Sequence, residues 1–169
     1  RRQRQMCIRD SNDTIHVLGD FLWDASRIRQ GEIVVDQGDV TFGSTANGVG
    51  GIATKVWVNG SGAQSITAHG GGRAGSLVMD NALATLNPAG SGLFTFEGTV
   101  DLIDGVYNMG NLDHLITGTV RVSGGVFNGG STGYLDMNTS FDQSGGVFTC
   151  TSDTTYLSNN FTHSGGIFN

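Results

Sequence analysis

The sequence predicts an all-β chain wound into a parallel β-solenoid, right-handed, with coils of about 20 residues. Three observations predict it. First, Val106, Val126, Val147 and Ile167 recur at intervals of 20, 21 and 20 residues (126 − 106, 147 − 126, 167 − 147). Second, other columns hold the same register: Tyr107, Phe127, Phe148, Phe168; Asn108, Asn128, Thr149, Asn169; Val100, Val120, Phe141, Phe161; and Phe96, Ile116, Met137, Leu157. Third, the runs between Gly, Asn and Ser clusters are short and alternating, as in VRV, VWVN, LFTF and YLDM, and no window shows a convincing helical period. A coil of this length cannot bury its own apolar face, so it stacks on its neighbours. At about 4.8 Å per rung, residues 12–169 supply about eight coils and a rod somewhat under about 40 Å long.

Each segment is justified in turn. The opening RRQRQMCIRDS has no apolar run and is not a secretory signal. It resembles translated adapter sequence, so residues 1–11 are read as a non-native or disordered leader and 12–169 as one solenoid domain. FLWDASRIRQ at 21–30 comes nearest to a helical pattern, and the region of Trp23 and Ile28 is expected to form a short capping turn or a wider coil. DQGDVTFGS at 36–44 looks like an early copy of the Gly-x-aliphatic-x-Phe phrase. LATLNPAG sets Leu86 and Asn87 one coil before Tyr107 and Asn108. Ser-Gly-Gly at 123–125, 144–146 and 164–166 marks corners that need positive φ, which Gly adopts without steric cost. The preceding corner is Ile103-Asp104-Gly105, where Asp104 is expected to tolerate the left-handed region. The phrase after each corner is read as a core rung, its aromatic forming an interior stack, or an outer stripe if the register slips by one. The repeat is interrupted after Phe168, which predicts a fragment of a longer rod whose partners include further coils of its own parent chain.

Composition narrows the function classes. There are 28 Gly, one Pro and a single lysine, Lys55, and only 14% of residues are charged, against about 25% in typical domains. The formal charge is −6; setting aside Arg1, Arg2, Arg4, Arg9 and Asp10 leaves five basic and fourteen acidic residues, or −9. That disfavours nucleic acid, whose phosphates need clustered Lys and Arg. No run of about 18 apolar residues offers a transmembrane segment. With Cys7 in the leader, Cys150 is a lone thiol, read as a small core residue.

VWVNGSGAQSITAHGGG at 56–72 and the Ser-Gly-Gly-aliphatic-Phe copies resemble the degenerate Gly/Asn/Thr-rich repeats of secreted bacterial β-solenoids, the adhesin-like and autotransporter-like passenger rods. The likeness covers most of residues 15–169. It implies extracellular or cell-surface localisation and a scaffold, adhesive or glycan-contacting role, with glycans or a host surface as partners. It carries over no catalytic residue. The expected contact strip is the aromatic and Asn columns, exposed together on one face.

A carbohydrate-active β-helix, a polysaccharide lyase or glycosidase, is the alternative. Its candidate residues are Asp101, Arg121 and Asp142, which share one column, with Asp104, Asp113, Asp136 and Asp153 as further carboxylates. A glycosidase needs two carboxylates about 5–5.5 Å or about 6.5–9.5 Å apart, and neighbouring rungs offer such spacings. The solvated reading of the Asp101–Arg121–Asp142 column is a charge ladder that fixes coil register. His16, His69, His114 and His163 are scattered without zinc spacing, and the nonapeptide pattern of calcium-binding rolls is absent, so no metal or cofactor is expected. GVGG at 48–51 and HGGGRAG at 69–75 lack the helix or Gly-Lys-Ser/Thr of a phosphate cradle and read as loops. Asn12, Asn59, Asn138 and Asn160 lie in Asn-x-Ser/Thr sequons. Thr does not recur in a regular Thr-x-Thr stack, which leaves ice binding a minor reading.

Overall fold

The computed structural model describes residues 14–24, 28, 30–47 and 54–169; the leader at 1–11 with Cys7, the Asn12 sequon and GVGG at 48–51 lie outside them. The described residues form strands and no helix, and every strand pairing is parallel. One face holds β1 (Thr14–Val17), β3 (Gly31–Val35), β5 (Thr54–Val58), β8 (Ser76–Met79), β11 (Val100–Leu102), β14 (Val120–Val122), β17 (Phe141–Gln143) and β20 (Phe161–His163). A second holds β2 (Phe21–Trp23), β4 (Val40–Phe42), β6 (Gln64–His69), β9 (Ala84–Ala89), β12 (Val106–Asn108), β15 (Val126–Asn128), β18 (Val147–Thr149) and β21 (Ile167–Phe168). The third holds β7 (Arg73–Ala74), β10 (Leu93–Phe96), β13 (Asp113–Ile116), β16 (Leu135–Met137) and β19 (Thr155–Leu157). The chain is a β-solenoid of about seven turns. The count falls short of eight because the earlier coils are longer: Ile33 pairs with Val56, Val56 with Leu77 and Leu77 with Val100, steps of 23, 21 and 23 residues (56 − 33, 77 − 56, 100 − 77).

The five columns read from the repeat are real ladders. Val106, Val126, Val147 and Ile167 pair in succession, and so do Tyr107, Phe127, Phe148 and Phe168. Parity decides between the interior stack and the outer stripe, in favour of the stack. On the first face the outer residues of each three-residue strand point inward, whereas on the second the middle residue does. The aromatic is therefore the core rung, and the valine before it faces out, half-buried. Three corner residues separate inward Val122 from Val126, and the alternation of side chains then turns Phe127 inward. The rings of Tyr107 and Phe127 stack at 4.6 Å and those of Phe127 and Phe148 at 4.7 Å, close to the rung spacing. Such pairs contribute about 0.5–1.5 kcal/mol each beyond the burial of their area. The phrase at 36–44 joins the same face with an offset: Val40 aligns through Ile66 and Leu86 with Tyr107, and Phe42 fills the next inward position against Trp23. Phe21–Trp23 is strand rather than capping turn, with Trp23 in the core.

The two glycines of each corner do different work. Gly105, Gly125, Gly146 and Gly166 take φ of +87°, +63°, +62° and +84°. A Cβ on Gly124 would stand 2.1 Å from the Ile103 carbonyl oxygen, so the first glycine is there for close backbone approach. Every described residue with positive φ is glycine, so Asp104 does not enter the left-handed region; Gly105 carries that turn instead. Cys150 is half-buried against the core with a free thiol.

Candidate functional site

Asp101, Arg121 and Asp142 come together as the column predicts. They are the middle residues of β11, β14 and β17, paired rung to rung and pointing away from the core. Arg121 Nη1 donates to Asp101 Oδ1 at 3.1 Å, with the Arg121 side chain 54% exposed. The backbones of the two aspartates are two rungs apart, about 9.6 Å, and the guanidinium sits on the rung between them. A glycosidic bond needs carboxylates on opposite sides of it. Here they lie in line along one sheet. In solvent, such a pair contributes about 0–1 kcal/mol.

The other carboxylates are dispersed, and three of the four accept local hydrogen bonds. Asp104 Oδ1 accepts from the Gly105 N–H at 2.8 Å, and Asp113 Oδ1 from the Tyr134 N–H at 3.0 Å. Asp153 Oδ1 accepts from the Thr154 hydroxyl at 3.2 Å. Asp136 lies on the third face between Leu115 and Tyr156, one oxygen shielded and without a hydrogen-bond partner. The structure thus spreads these four over the third face and two corners and joins none of them to Asp101 or Asp142. The expected contact strip also divides. Tyr107, Phe127 and Phe148 are wholly buried, while Asn108 and Asn128 face out. Asn128 Nδ2 donates to Asn108 Oδ1 at 2.9 Å, and Asn108 Nδ2 to Asn87 Oδ1 at 3.1 Å. Gly70, Gly71 and Gly72 form the turn from β6 to β7, with Gly71 at φ +89°. Asn59, Asn138 and Asn160 are exposed.

Two buried polar groupings escaped the sequence reading. Tyr107 Oη lies 2.7 Å from His114 Nδ1 inside the core, and His114 Nε2 finds no hydrogen-bond partner. Burial pushes the imidazole down to about 4, against smaller upward pulls from the Met109 backbone and the Asp113 charge. Burial likewise raises the Tyr107 hydroxyl far above its usual range. The signal was available: in Asp-His-Leu-Ile, His114 shares strand parity with Ile116, an inward position. The second grouping is Gln64 with Asn81. Gln64 Nε2 donates to the Val35 and Gly38 carbonyls at 3.1 and 3.0 Å, and its Oε1 accepts from the Gly60 N–H and Asn81 Nδ2, each at 2.9 Å. The Gln64–Asn81 grouping is fully hydrogen-bonded, whereas the Tyr107–His114 pair leaves one ring nitrogen unpartnered in the core. Among the described residues no group of three or more His, Cys, Asp or Glu is placed to hold a metal ion, and no helix is long and apolar enough to cross a membrane.

No protein-family model, curated protein or solved structure matches the chain. What stands is the architecture, a parallel repeat solenoid.

Proposed function

We propose that this chain is a non-enzymatic structural segment of an extracellular or cell-surface protein, a stiff spacer whose faces make many weak contacts with glycans or a host surface. One observation carries the reading: outward polar side chains on successive coils are engaged with one another along the rod axis. Arg121 holds Asp101, Asn128 holds Asn108, and Ser158 Oγ donates to Asn138 Oδ1 at 3.2 Å. Ladders of this kind stiffen a quasi-one-dimensional stack, whose stability is a sum of coil and interface terms. Repeated shallow faces give avidity when several contacts engage together. The adhesin-like resemblance supports the location.

The test is a polysaccharide screen on the chain, reading bound protein on immobilised glycans and, in parallel, new reducing ends and unsaturated products in solution. Turnover that Asp101→Asn or Asp142→Asn abolishes would overturn the spacer reading in favour of a lyase or glycosidase. Retention on surfaces without turnover is the expected result.

A further inference from the structure

The second face is chemically unlike the other two. Val106, Val126 and Val147 form one outward column and Asn108, Asn128 and Thr149 the other, and both continue into β9 without a charged residue. Four ion pairs among the described residues belong to the other two faces: His16–Asp36, Lys55–Glu32 and Arg121–Asp101 to the first, Arg73–Glu97 to the third. The rungs are held regular from within by the 4.6 and 4.7 Å ring stacks. Residues two apart on a strand are about 6.6–6.8 Å apart, so the outward side chains form a net of about 4.8 by about 6.7 Å. The asparagines are fixed on that net by their own hydrogen bonds.

What does an uncharged, regular net suit? Sugar rings stack on exposed aromatics, and here the aromatics are inside. Phosphate-rich partners need cations, and this face has none to offer. A second copy of the chain needs area: from β9 to β18 the strip is roughly 20 Å by roughly 10 Å, about 200 Å², against about 800 Å² per partner in a stable interface. An ordered water lattice remains. Methyl groups restrict first-shell water without bonding it, and amides and hydroxyls fixed at regular intervals bond it at set points. Oxygen rows on the faces of hexagonal ice repeat on the same few-ångström scale in two directions.

We propose that the second face, centred on Val126 and Asn128, is an ice-binding surface. This goes beyond the spacer reading and does not depend on it. The test is ice-affinity partitioning: ice is grown slowly from a dilute solution of the full chain, and protein is measured in ice and in liquid. Val126→Lys and Val147→Lys each place a solvated cation on the net from an outward position, and Arg121→Ala changes the first face as a control. Wild type and Arg121→Ala are expected in the ice, and both lysine variants are expected to lose that uptake with unaltered circular dichroism. The two lysine variants sit on separate rungs, so a folding failure in one leaves the other to decide. Exclusion of wild type from ice, equal loss in Arg121→Ala, or retention of uptake by a folded lysine variant overturns the proposal. So would a wild type that, instead of entering ice, binds microcrystalline cellulose or sediments as a dimer through this face.

Discussion

Acid should loosen this rod through one buried histidine. His114 faces Phe94 on β10, Leu135 on β16 and the Tyr107 ring and hydroxyl on β12, and the one acid acting on it is its neighbour Asp113. The unfolded chain takes up a proton near 6.5, and the folded chain only at about 4. The unfolded state therefore binds the proton first as pH falls, so stability is full above about 6.5 and is lost towards 4. At about 1.4 kcal/mol per pH unit, that interval is worth about 3 kcal/mol. With a urea slope of about 2 kcal/mol/M, the midpoint should fall by about 1.5 M between pH 7.5 and pH 4. Surface carboxylates titrate in part of the same range, so the comparison is with Tyr107→Phe/His114→Leu. That double variant removes both members of the pair and extends the Phe127–Phe148 stack, and it should match wild type within about 1 kcal/mol at pH 7.5. Urea titrations at four pH values on both proteins give the difference. If wild type and the double variant lose the same stability between pH 6.5 and 4, the buried imidazole is not the acid-sensitive element.

The remaining expectations concern packing, corners and surface charge. Phe127→Ala empties a rung between two stacked rings and should cost about 3–5 kcal/mol in equilibrium denaturation. Gly90→Ala meets only backbone strain, since φ is +79° and nothing lies within 4 Å of the new Cβ, and should cost about 1–2 kcal/mol. Gly130→Ala needs no positive φ, yet its Cβ would stand 1.7 Å from the Gly110 carbonyl oxygen; a backbone shift is forced, and its melting temperature should fall further than that of Gly90→Ala. Arg121→Ala should change stability by less than about 1 kcal/mol, an effect that shrinks in high salt.

The solenoid was legible because its period is short and its columns are chemically loud. A ring that recurs every 20 or 21 residues at Tyr107, Phe127 and Phe148 leaves little choice but stacking. Parity was harder. Alternation says that Val126 and Phe127 lie on opposite sides, but which side is inside depends on how many residues the corner consumes, and Gly124 and Gly125 set that through backbone geometry. The third face was fainter because its earliest described member, β7, has two residues. For the site, spacing correctly brought Asp101, Arg121 and Asp142 together. It could not say that Asp113 and Asp153 would be taken up by local backbone and hydroxyl donors.

Buried polar groups in the earlier coils explain how this half keeps its register without the Ser-Gly-Gly phrase. Gln64 ties the β3–β4 corner to its own, through Val35 and Gly38 on one side and Gly60 on the other, while Asn81 brings in the next corner. Asn81 also donates to the Gly62 carbonyl at 2.8 Å and accepts from the Leu83 N–H at 2.9 Å. Gln143, the last residue of β17, flanks the first-to-second-face corner of a later coil from its other side; it donates to the Gly145 and Ile167 carbonyls at 3.2 and 2.9 Å, but its Oε1 has no partner. Replacing Gln64 by Met leaves the Gly60 N–H and an Asn81 N–H orphaned, and an orphaned buried donor costs about 1–3 kcal/mol. Replacing Gln143 by Met removes a side chain that already carries one unsatisfied oxygen and strands no donor, so part of its loss is offset. Gln64→Met should therefore lower the denaturation midpoint by at least twice as much as Gln143→Met. Equal losses would mean that the earlier corners are held by their backbone ladders alone, with the polar network a passenger.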